Sequence, residues 1–66
     1  MQIELNGDRY LLDDRATLGV LIERLSLKGR RVAVEVNEEV IPKSLHPAHR
    51  LNDGDRVEIV HAIGGG

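Results

Sequence analysis

Apolar and polar residues alternate from the first positions of the chain: Ile3 and Leu5 fall on one side, Gln2 and Glu4 on the other. A period of two is that of a half-buried strand. After "NGD" the extended pattern resumes in "RYLLD", so strands are expected over about 2–6 and 9–13. Asn6-Gly7 suits the tight turn between them, because both central residues of such a turn need positive φ. From Thr17 the period changes. Leu18, Leu21, Ile22 and Leu25 recur at i, i+3, i+4 and i+7, the stripe of an amphipathic helix. Thr17 is the expected N-cap, Lys28 suits the negative end of the helix dipole, and Gly29 supplies a left-handed stop. Gly19, in the first turn, costs some helix propensity.

Alternation returns in "RVAVEVN", with Val32, Val34 and Val36 on one face and Ala33 and Glu35 on the other. After a turn at 37–39, "VIP" predicts a short strand that Pro42 marks as an edge or an end. "KSLHPAHRL" is irregular, with one 3₁₀ turn around Leu45, "NDGD" is a turn, and "RVEIVHAI" is the last strand. The order ββαβββ with a single helix gives a two-layer α+β domain, since one helix covers one face of a sheet. The expected inward set is Ile3, Leu5, Leu12, Leu18, Leu21, Ile22, Leu25, Val32, Val34, Val36, Leu51, Val57 and Ile59.

Composition narrows the function more than the fold. The chain has 66 residues, enough for one domain with a small core. A formal charge of −2, scattered basic residues and Tyr10 as the only aromatic side chain argue against nucleic-acid binding. Such binding relies on a basic patch and, for single strands, stacking platforms. No long apolar run suggests a membrane span and no signal peptide is evident, so a cytoplasmic protein is expected. The chain has no cysteine, which removes disulfides, thiolate metal sites and cysteine nucleophiles.

Candidate acid–base and metal groups are few. His46 and His49 straddle Pro47, and His61 shares strand parity with Val57 and Ile59 near the end of the sheet. Their spacing matches no zinc site, and solvated histidines are the expectation. Asp13–Asp14 and Glu38–Glu39 lie in or beside turns, and a catalytic carboxylate pair needs a pocket that so small a core hardly encloses. Asp53 and Asp55 around Gly54 are explained by turn chemistry. An enzyme acting alone is not expected.

The last strand leads directly into Gly64, Gly65 and Gly66. Without Cβ atoms these residues thread passages too narrow for any side chain, and a terminal carboxylate at Gly66 becomes an acyl donor once nucleotidyl transfer attaches a leaving group. The whole chain resembles the ThiS family, the sulfur carriers of thiamine biosynthesis that share the ubiquitin-like β-grasp fold. "TLGVLIERL", "VAVEVNEEVIPK" and "LNDGDRVEIVHAIGGG" carry the resemblance. It implies a β-grasp domain over 1–63 with a flexible glycine tail at 64–66. A ThiF-like, E1-like adenylyltransferase would activate Gly66 with ATP and magnesium, and a persulfide-derived sulfur would replace the adenylate. A ThiG-like thiazole synthase would accept that sulfur. No cofactor is assigned to the chain itself. MoaD, the small subunit of molybdopterin synthase, shares the fold and the glycine terminus, but the compact "NEEVIPK" segment favours the thiamine branch. Ubiquitin-like conjugation and a β-grasp interaction module without carrier activity are the remaining readings.

The β-grasp order sets the third and last strands side by side. With Val34, Val36, Val57 and Ile59 inward, Ala33, Val60 and Ala62 form an outward apolar patch with Glu35 and Glu58 at its rim. This patch leads to the tail and is the expected partner-binding surface.

Overall fold

The structure, a computed structural model, describes residues 1–61. The elements are β1 (Gln2–Leu5), β2 (Asp8–Leu11), α1 (Leu18–Arg24), β3 (Val32–Val36), β4 (Glu39–Val40) and β5 (Arg56–His61), with a 3₁₀ turn at Lys43–Leu45. Among the described residues the strands form one sheet in the order β2-β1-β5-β3-β4. β1 and β5 run parallel at its centre, while β1–β2, β3–β4 and β3–β5 are antiparallel. One helix packed on one face of this mixed sheet is the β-grasp arrangement. The final residues of the expected last strand and the tail lie outside the described residues.

Of the expected inward set, all but Leu5, Leu25 and Val32 are buried, and these three pack half-buried against the core. A helix of seven residues is only about 10 Å long, too short to cover the ends of the elements that carry them. Ala16 and Ile41 complete the core and break no period that would reveal them.

The helix begins as expected, with Thr17 Oγ1 accepting from the Val20 N–H at 3.3 Å. The two preceding free donors of the first turn find long-range partners: Leu18 N–H donates to the His49 carbonyl and Gly19 N–H to the His46 carbonyl, both at 2.9 Å. Gly19 is therefore a close-approach residue rather than a mere weak point. A Cβ there would stand 3.0 Å from Pro47 Cα. Gly19→Ala is expected to destabilise the domain, since overpacking against backbone costs roughly 1–3 kcal/mol and outweighs a propensity gain of about 1 kcal/mol. Urea denaturation checks the sign.

The helix ends earlier than expected. Leu25 is its C-cap, and Ser26 at φ 60° takes the left-handed position assigned to Gly29. Ser26 N–H donates to Glu23 O and Leu27 N–H to Ile22 O, the paired bonds of a Schellman close, with half-buried Leu27 as its apolar partner. Gly29, at φ 82°, serves the following turn.

Both hairpins use left-handed turns. Asn6-Gly7 has φ 49° and 89°, as expected, and Asn37-Glu38 has 51° and 70° without any glycine. β4 accordingly starts at Glu39, ahead of the expected "VIP", and Ile41 N–H still bonds to Val34 O at 2.9 Å. At the amino end the Met1 amine donates to Leu12 O at 2.7 Å and Asp14 Oδ1 at 2.8 Å. That hydrogen bond holds the amine above its ordinary value and the Asp14 carboxyl below its own. The amine's contribution is therefore complete below pH 8.0 and lost as pH rises through its raised value. That of Asp14 is present above 3.8 and lost as pH falls through its lowered value.

Candidate functional site

The "NDGD" turn shapes the start of β5. Gly54 at φ 88° donates to Gln2 O at 2.7 Å, and Asp53 Oδ1 accepts from Gln2 N–H at 2.7 Å, so the turn grips β1 and fixes where β5 begins. Asp55 is buried, which turn chemistry alone did not foretell. Its Oδ2 accepts from Asn52 N–H at 2.8 Å and its Oδ1 from Asn37 Nδ2 at 3.0 Å. Asn37 in turn accepts from Arg56 N–H at 3.0 Å. These contacts tie both hairpin ends of the sheet to the strand that leads toward the glycines.

The outer face of that strand carries the expected surface residues. Ala33 is the register partner of Val60, and Glu35 that of Glu58. All four lie on the face away from α1. Val60 is 59% exposed, Ala33 and Glu58 are exposed, and Glu35 is half-buried. Like charges directly opposed on a sheet repel, and Glu38 borders the same depression. Arg56, which also lines it, reaches Glu4 at 3.4 Å. The face thus grades from an Arg56–Glu4 pair, through an acidic zone, to the Ala33–Val60 apolar step. Ala62, Gly64, Gly65 and Gly66 lie outside the described residues.

The other candidates are structural. His46 is buried, against the expectation of solvent, because the segment that brings it under the helix also turns its ring inward: Nε2 lies 2.9 Å from Ile41 O and donates to it. His49 is half-buried and His61 exposed. Among the described residues no group of three or more His, Cys, Asp or Glu is arranged to hold a metal ion. A groove of about 460 Å³ runs beside the helix, floored by Val20, Ile22, Leu27, Val32 and Pro47. Glu23 is its one carboxylate among the described residues, and neither Asp13–Asp14 nor Glu38–Glu39 reaches it. Among the described residues it therefore holds no pair of carboxylates. No described helix is long and apolar enough to cross a membrane.

Known proteins give the arrangement its context. The sequence model of the ThiS family matches residues 2–66. A thiazole synthase of Paramagnetospirillum magneticum is 41% identical over the whole of this chain, which spans only 20% of that longer protein. The sulfur carrier protein ThiS of Bacillus subtilis is 38% identical, covering 97% of this chain and 98% of that one. The crystal structure of the thiamine biosynthesis protein ThiS from Geobacter metallireducens superposes with a TM-score of 0.85 at 30% identity, each chain covered in full. By fold, by matched length and by relatives, the chain belongs to the ThiS family.

Proposed function

We propose that this chain is a sulfur carrier for thiazole formation in thiamine biosynthesis and that it carries the sulfur as a thiocarboxylate on Gly66. The observation that supports this most is the family match running through residue 66, so that it includes all three final glycines. A ThiF-like enzyme transfers the adenylyl group of ATP, with magnesium, to the Gly66 carboxylate and releases pyrophosphate. The outer sulfur of a persulfide attacks the acyl carbon and AMP leaves. A second thiol then cleaves the resulting acyl disulfide, leaving the thiocarboxylate. A ThiG-like thiazole synthase is the acceptor, a reading supported by the thiazole synthase whose chain contains a region similar to this one. The protein is a co-substrate, and ATP and magnesium belong to its activator.

In this reading the domain over 1–63 is the handle and 64–66 the reactive tail. Ala33, Glu35, Glu58, Val60 and Ala62 form the surface that the activating enzyme grips, and Gly64 and Gly65 pass through its narrow entrance. The test is intact mass after incubation with ATP, magnesium, a persulfide donor and the activating enzyme. The expected product is heavier by the difference between sulfur and oxygen. An unchanged mass would leave the chain a β-grasp interaction module.

A further inference from the structure

β1 ends at Leu5, whereas β5 continues to His61. Their parallel register stops where Leu5 meets Val57. Beyond that rung the main-chain groups of Ile59 on the β1 side have no strand to face, and Asn6 takes the strand's place. Asn6 Oδ1 accepts from Ile59 N–H at 2.8 Å, and Asn6 Nδ2 donates to Ile59 O at 3.1 Å. Its own N–H donates to Val57 O at 2.9 Å. A carboxamide offers one donor side and one acceptor side, as a peptide unit does, so the side chain adds a rung to the sheet. With φ at 49° the main chain of Asn6 is already turning toward β2 while its side chain stays in the ladder.

We propose that Asn6 is a positioning residue for activation of Gly66: by clamping Ile59 it fixes the direction in which the chain leaves the sheet. The inference rests on the reading of Gly66 as the acyl terminus. After Ile59 the strand continues through Val60 and His61, a reach of at most roughly 7 Å. Over that reach a pivot of about 10° at Ile59 displaces the end of the strand by about 1 Å, and a misplacement of that size can cost on the order of 10²-fold in rate. β3 holds the other edge of β5, with Val32 opposite His61. Asn6 supplies the second point of support that a fixed direction needs.

Asn6→Gly is the informative variant, because glycine keeps the positive φ of the turn without strain and removes only the clamp. Three quantities are measured: amide hydrogen exchange at Ile59, affinity for the purified activating enzyme, and the single-turnover rate of adenylation at saturation. Exchange at Ile59 is expected to accelerate, affinity to stay unchanged because the outer face is intact, and the adenylation rate to fall about tenfold. Asn6→Asp keeps an acceptor for the Ile59 N–H but loses the donor to its carbonyl, and is expected to fall between. A wild-type rate in Asn6→Gly despite faster exchange overturns the inference. So does a loss that vanishes when temperature is lowered to equalise the folded fractions, since that marks stability alone. A wild-type chain that is never adenylated overturns the functional reading and this inference with it. Normal wild-type adenylation alongside an equally fast Asn6→Gly overturns this inference alone.

Discussion

A chain ending at Gly65 is expected to melt as the full-length protein does and to form thiocarboxylate roughly 10²-fold more slowly. The shortened chain still ends in two glycines and still offers a carboxylate, so its chemistry is unaltered. What changes is reach. One residue of extended chain is about 3.3–3.6 Å, enough to withdraw the acyl carbon from a bound nucleotide by a full contact distance. Folding has no stake in the deletion among the described residues, since the buried core runs from Ile3 to Ile59. Intact mass and a thermal melt on the same sample check both halves, and full activity in the shortened chain would reject Gly66 as the site. Gly65→Val should approach the same loss by another route, because a β-branched side chain stiffens and widens the segment.

Val60→Asp is expected to weaken binding to the activating enzyme by about 10–100-fold or more, since even a neutral polar group buried without a partner costs roughly 1–3 kcal/mol and a carboxylate costs more. The free domain should barely notice. Val60 is 59% exposed and its neighbour across the ladder is Ala33, so the carboxylate stays in water until a partner covers it. Surface changes of this kind usually stay within about 0.5 kcal/mol. Titration calorimetry against the purified enzyme, paired with a melt, separates the two effects. A normally folded Val60→Asp protein adenylated at the wild-type rate at limiting concentration would remove this face from the activation step.

Periodicity made the sheet and its inner face legible, because alternation is a direct imprint of one-sided burial. Ile3, Val34, Val36, Val57 and Ile59 are buried where that logic puts them. The Asn6-Gly7 turn was equally plain, since glycine advertises positive φ. Asn37-Glu38 adopts the same turn without glycine, and its φ values rest on tertiary bonds that Asn37 makes to Arg56 and Asp55. No local signal announces that. The helix end was misplaced for a related reason: Ser26 occupies a position that glycine usually marks, and the clue was Leu27, which falls off the apolar stripe. His46 and Asp55 are polar residues in an irregular segment and a turn, and their burial follows from what packs over them rather than from their neighbours in sequence.

The two first-turn donors that end on the carbonyls of His46 and His49 bear on the order of folding. A helix of seven residues is far too short to persist alone in water, and its opening turn is closed by chain made about thirty residues later. The central pair of the sheet likewise joins the first strand to the last. Contacts so distant in sequence form late and together. A growing chain on the ribosome therefore has neither a stable helix nor a sheet centre until residues 56–61 emerge. The outer face, which needs Ala33 beside Val60 and Glu35 beside Glu58, thus assembles only once the last strand is out.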